Sequence, residues 1–331
     1  MGSIAHAFPR HARHQLPAPI LVKASLNRPS PTLSQSGQPS IAAQSEQPPI
    51  AAISRRGRTQ TSTTFAKVAW SDITVLGTIT QGSVQFLIVN QCEDRSRLLM
   101  LAKASSAEHN NKRVMRHPNI LSVEIILQDK DAFYAGYAYT RTTLEDMLNV
   151  HIPFGEKEIK VVAVSLFAAV TELYQQGFAH GAINSRNVRV CGRTLRLKLL
   201  VPCHPNGNTS ASLTDDLDAL GLLLLRCMEV PAKRRTYTAA EIRRFRVDNK
   251  LFGLSNSERW SGCKQLVDFI EDLFSEDRPA LVKVQKPHKY VCAATPSTEL
   301  VTPYVELAVL ECFTAFQAAI PGGDNLPIED Q

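Results

Sequence analysis

From Trp70 onward the chain passes through β-rich segments first and helical segments afterwards, and that order constrains the fold more than any single motif. Ile73–Gly77, Val84–Asn90 and Leu98–Lys103 are rich in β-branched and large apolar residues and are separated by polar turns. Ser106–Met115 reads as a short polar helix, and Ile120–Leu127 and Ala132–Tyr139 as two further strands. These segments predict a five-stranded antiparallel sheet with one inserted helix. A helical half begins at Thr143–Val150. In Glu156–Gln176 the apolar residues Val161, Val164, Phe167, Ala168, Val170, Leu173 and Tyr174 form a helical stripe that stops before Gly177. Val188–Val190 and Leu195–Leu199 predict a short hairpin. Asp215–Met228 reads as a strongly apolar helix for the centre of a core, and Gln265–Phe274 and Pro303–Phe316 as further helices. The fold class is therefore α+β, with a small β unit followed by a larger α unit.

Charge separates the tail from the folded part. The net charge is +6, but residues 1–70 hold eight Lys/Arg against Glu46 alone, and the rest of the chain holds 29 basic and 30 acidic residues. Residues 1–62 contain eight of the nineteen prolines, with Ser, Gln and Ala between them. Such a composition buries too little apolar surface to offset the entropy of ordering, so 1–62 is expected to be a disordered basic tail. Its densest cluster, Arg55-Arg56-Gly57-Arg58, makes an RNA or another acidic partner a competing function for the tail. No stretch of 18 or more apolar residues exists, so no membrane span is expected. The seven cysteines form no C-x-x-C pair, which argues against a zinc site and for reduced thiols. The cytoplasm is the expected compartment, with the nucleus as an alternative. The acid-poor N-terminus adds organelle targeting as another.

Five anchors, in order, resemble the eukaryotic protein-kinase family over about residues 68–291. Leu76-Gly77-Thr78-Ile79-Thr80-Gln81-Gly82-Ser83-Val84 is similar to the glycine-rich loop, with Ile79 in place of the middle glycine. Met100-Leu101-Ala102-Lys103 resembles the strand that carries the phosphate-contacting lysine. Glu108, nine residues before His117-Pro118-Asn119-Ile120, falls where that lysine's glutamate partner stands. His180-Gly181-Ala182-Ile183-Asn184-Ser185-Arg186-Asn187 resembles the catalytic loop. Asp216-Leu217-Asp218-Ala219-Leu220-Gly221 resembles the start of the helix whose aspartate braces that loop. Arg278-Pro279 and Pro287-His288 resemble late structural turns. Thr143-Leu144-Glu145 with Val150-His151, the helix Leu166–Leu173 and the stretch from Leu254-Ser255 to Leu273-Phe274 resemble the kinase-homology part of ribonuclease L and the inositol-requiring stress-sensor kinases. Only 43 residues follow His288, too few for the nuclease domain of that group.

The resemblance implies a bilobal fold, with an N-lobe at about 68–139, a C-lobe at about 140–291 and a 292–331 extension carrying one helix. It also implies lost chemistry. Ala182 replaces the catalytic base, and a methyl group cannot accept a proton. Asn184 replaces the loop lysine. The metal-binding aspartate falls near Val201-Pro202-Cys203, and no Asp or Glu occurs between Glu172 and Asp215. Only His204–Asp215 fills the space of the activation segment. His180, Ala182 and Asn187 are thus expected to be a catalytic-loop remnant, with Asp216 as its brace. Gly77, Gly82, Val84, Lys103 and Glu108 are the candidate nucleotide pocket, and Leu101 is expected to crowd its adenine end. The expected function is a pseudokinase that scaffolds or regulates a protein partner, with no cofactor required, ATP an optional ligand and Mg²⁺ not expected. The competing reading is a weak or atypical ATP-binding kinase or nucleotide sensor.

Overall fold

A computed structural model describes residues 66–81, 84–92, 95–104, 115–129, 132–201, 212–248, 251–283, 288–292, 296–312 and 316–318. The expected tail 1–62, most of the expected helix Ser106–Met115 and the residues after Ala318 lie outside them.

The strands are β1 (Ala66–Lys67), β2 (Ile73–Gln81), β3 (Val84–Gln91), β4 (Leu98–Ala104), β5 (Ile120–Leu121), β6 (Ile125–Asp129), β7 (Ala132–Ala138), β8 (Val188–Val190), β9 (Leu197–Leu200) and β10 (Phe316–Ala318). Four of the five expected strands, and part of the fifth, lie at the centre of a larger sheet of order β1-β6-β7-β4-β3-β2-β10. Two short edges were not expected: β1 runs parallel to β6, and β10 antiparallel to β2. The expected strand Ile120–Leu127 divides instead. Its first part, β5, joins β9 and β8 in a separate three-stranded sheet, and only β6 stays in the large one. Asn119 fixes the division: its Nδ2 donates to Leu197 O at 2.9 Å, and its own carbonyl accepts from Leu199 N at 2.8 Å.

Alternation in the central strands gives the large sheet two apolar faces. Leu87, Val89, Leu99, Leu101, Ile125, Leu127 and Tyr134 pack on the outer face, under Val68 and Trp70. Trp70 meets Tyr134 edge-on at 5.2 Å. Ile79, Phe86, Ile88, Met100, Ala102, Ala135 and Tyr137 pack on the inner face together with Leu121, Val123 and Leu200. Burying a side chain such as Phe86 in this layer stabilises by about 2–3 kcal/mol.

The helices are α1 (Leu144–Asn149), α2 (Glu156–Gln175), α3 (Leu213–Met228), α4 (Ala239–Val247), α5 (Ser257–Trp260), α6 (Lys264–Leu273), α7 (Pro279–Lys283), α8 (Lys289–Cys292) and α9 (Thr302–Glu311). Reciprocal Thr143–Asp146 and Ser212–Asp215 capping boxes start α1 and α3. Gly177, in the left-handed region at φ +80°, follows the end of α2, as glycines at helix ends do. The central α3 buries Leu217, Leu220, Leu223, Leu224 and Leu225 in the largest apolar core, with α2 and α6 against it. The helix expected over Pro303–Phe316 stops at Glu311. Cys312 turns to extended backbone, and Phe316 belongs to a strand rather than to a helical stripe. No described helix is long and apolar enough to cross a membrane.

Candidate functional site

The loop between α2 and β8 is organised by one carboxylate. Asp216, on the first turn of α3, accepts from His180 N–H at 2.6 Å and from Gly181 N–H at 2.8 Å. Gly181 takes φ +70°, so the chain can turn there without a Cβ penalty. His180 is buried. Its Nδ1 accepts from Ala182 N–H at 3.2 Å and its Nε2 lies 2.8 Å from Leu200 O. That pattern requires the neutral ring with the proton on Nε2. Burial also pushes the imidazole below its ordinary pKa, and the nearby Asp216 acts the other way. Asn187 Nδ2 donates to Ala182 O at 2.8 Å, while Asn184 Oδ1 accepts from the amides of Arg186 and Asn187 at 3.0 Å. The structure thus brings His180, Ala182, Asn187 and Asp216 together, with the Ala182 methyl at the bend.

The expected nucleotide pocket is arranged differently. Gly82 and Glu108 lie outside the described residues. Val84 packs against the inner-face cluster. Lys103 stands on a different face from Val84. The pleat places Leu99 and Leu101 on the outer face, and Met100, Ala102 and Ala104 toward the inner one. Lys103 follows Leu101 by two residues and pairs across the ladder with Tyr134, another outer-face residue. Ala104, not Lys103, therefore stands on the inner face. Leu101 does not crowd an adenine site; it packs on the outer side over Gly136, where an added Cβ would lie 2.8 Å from Leu101 Cδ2. The motif matched by identity at Lys103, and the two-residue period of the strand moved it to the wrong side.

Residues outside the sequence motifs also lie against the inner face. Arg189, central in the short strand β8, is 2% exposed. Its guanidinium lies 5.2 Å from the centre of the Phe86 ring, and its Nη1 donates to Gln81 Oε1. Gln81 Nε2 in turn donates to Arg141 O at 3.2 Å. The end of the β2–β3 hairpin is thereby held down on the helical part. Burial pulls the Arg189 guanidinium down to about 10, with the Asp146 carboxylate opposing. Its buried Nε has no hydrogen-bond partner among the described residues. Tyr137 crosses from the sheet to the end of β9, its hydroxyl donating to Val201 O at 2.9 Å. An arginine between two valines in an apolar strand was the available signal for this closure.

Arg278 also finds a partner of its own. Asp218 on α3 takes its Nε at 3.2 Å and the Nη2 of Arg243 at 2.6 Å. A carboxylate two residues after Asp216 thus holds the arginine that follows α6.

No protein-family model matches the chain. Over 94 residues, 28% of this chain, it is 26% identical to cyclin-dependent kinase F-4 of Oryza sativa subsp. japonica. The matched stretch covers 20% of that protein, so the chain spans about one fifth of its curated relative. The similarity is to a kinase, over a mixed α+β chain with an antiparallel sheet.

Proposed function

We propose that residues 68–291 form a bilobal kinase-like domain that does not transfer phosphate and serves a protein partner as a scaffold or allosteric element. The observation that carries this reading is the loop braced by Asp216. Its backbone is held as a catalytic loop would be, yet Ala182 occupies the position where the resemblance expects the base. General-base catalysis contributes typically 10²–10⁴-fold, and a methyl group supplies none of it. The inner face supports the same reading: Ala104 replaces a phosphate-binding cation there, and Lys103 faces the other way.

Nucleotide binding is proposed to be absent for a separate reason. The Arg189 guanidinium lies over the Phe86 ring and is tied to Gln81, so a buried cation with its own partners already stands on the face a nucleotide would need. Opening it would strip a buried cation of its ring contact and its amide acceptor.

The test uses the full chain with ATP and either Mg²⁺ or Mn²⁺. The expected result is no phosphate incorporation above background and no thermal shift at millimolar ATP, with or without metal. A metal-dependent rate above background in the purified chain would overturn the reading. A metal-independent ATP shift would overturn the closed inner face and leave the lost chemistry standing.

A further inference from the structure

Without β10 the large sheet would end on β2, a nine-residue strand whose outward backbone groups would be bare. The chain covers part of that edge itself. Phe316 pairs with Ile79, Gln317 with Thr78 and Ala318 with Gly77. The Phe316 ring reaches diagonally over Gly77, where an added Cβ would lie 2.6 Å from its Cζ and would also collide with Gln317 O. Thr78 Oγ1 donates to Gln317 Oε1 at 3.4 Å. Gly77, expected to make room for a phosphate, makes room for this strand.

The cover is weakly held and firmly leashed. All three residues of β10 are exposed, Phe316 at 53%. A short, exposed edge strand opens at low cost. Its leash is well fixed: His151 Nδ1 meets Glu311 Oε1 at 2.6 Å, Cys312 Sγ reaches Asp146 O at 3.4 Å, and Tyr304 packs edge-on against Phe154 at 4.5 Å.

We propose that β10 is a displaceable internal ligand, and that the Gly77–Ile79 edge docks an extended segment of a protein partner carrying an aromatic residue in the place of Phe316. Main-chain pairing supplies the affinity of such strand addition, and the ring over Gly77 supplies its selectivity. The inference rests on the partner-binding part of the function proposed above and not on the loss of chemistry.

The probe is a fluorescein-labelled peptide with the sequence of residues 313–320, Phe-Thr-Ala-Phe-Gln-Ala-Ala-Ile. It is titrated against the full wild-type chain and against a full chain carrying Phe316→Gly and Gln317→Pro. The doubly substituted chain is expected to bind at least tenfold more tightly than wild type, because its own strand no longer competes. Adding Gly77→Val, or replacing the second phenylalanine of the peptide by alanine, is expected to abolish binding. Equal binding by wild type and the double variant, or binding indifferent to the peptide's second phenylalanine, overturns the proposal. Hydrogen exchange on the same proteins gives an independent reading. Amides of Gly77–Ile79 should exchange faster in the double variant while those of Leu99–Leu101 stay protected. Identical exchange at Gly77–Ile79 in both chains also overturns it. Phosphotransfer measured on these variants separates failure of the docking edge from failure of the non-catalytic reading.

Discussion

Arg189 puts a cation into an apolar wall with a ring, one amide oxygen and an Nε unpartnered among the described residues for company. Exchanging a buried, incompletely satisfied charge for an apolar side chain of similar size is often neutral or stabilising, because its desolvation penalty disappears. Truncation leaves a cavity instead. Arg189→Leu is therefore expected to change unfolding free energy by less than about 1 kcal/mol, and Arg189→Ala to lower it by about 2 kcal/mol or more. Urea denaturation of the two variants checks the pair. An equal loss in both would mean that the guanidinium's own contacts, not its bulk, hold this wall together. The arginine was visible in the sequence between Val188 and Val190. Its role was not, because the residues that receive it, Gln81 and Phe86, lie more than a hundred positions away.

Helices and strands differed in how far the sequence revealed them. The helices α2 and α3 were legible within a residue or two, because a long apolar stripe repeats the same signal every turn. The central strands were equally plain, but the face each side chain takes was not, since a motif read by identity ignores the pleat; Lys103 is the case in point. Packing between elements is a further layer. Gly221 on α3 lies where an added Cβ would meet the Phe274 ring at 2.7 Å, and Phe274 is itself buried. Alanine in a helix interior is favoured over glycine by about 1 kcal/mol. Overpacking a ring that cannot swing aside costs about 1–3 kcal/mol. Gly221→Ala should thus lower stability by about 1 kcal/mol, seen as a lower denaturation midpoint at unchanged slope. A rise in the midpoint would mean that α3 and α6 can move apart freely.

For the whole molecule, the inner apolar cluster draws on both parts at once, with Ile79, Phe86 and Tyr137 from the sheet and Leu200 from β9 beside the helices. The brace from Asp216 through His180 to Leu200 O and the Tyr137 bond to Val201 O run into the same place. Sheet and helical part are therefore expected to unfold together. The chain's two tryptophans report them separately, Trp70 on the sheet and Trp260 in the helical core. Fluorescence midpoints of Trp70→Phe and Trp260→Phe chains in urea should agree once each substitution's own stability change is measured by circular dichroism. Separate transitions would mean that the parts fold independently. The order of β and α segments was legible in the sequence. The strand at Phe316 was not, since a local apolar pattern says nothing of a mate 239 residues earlier, the separation between Thr78 and Gln317. That separation is also an interval of time. At synthesis rates of about 5–20 residues per second, the β2 edge emerges about 10 to 50 s before the strand that covers it. A sheet that folds only with the helical part keeps its edge unformed for most of that interval, so the time in which the edge is both built and uncovered is the time needed to add the last residues before Phe316, about 1 to 5 s at the same rates.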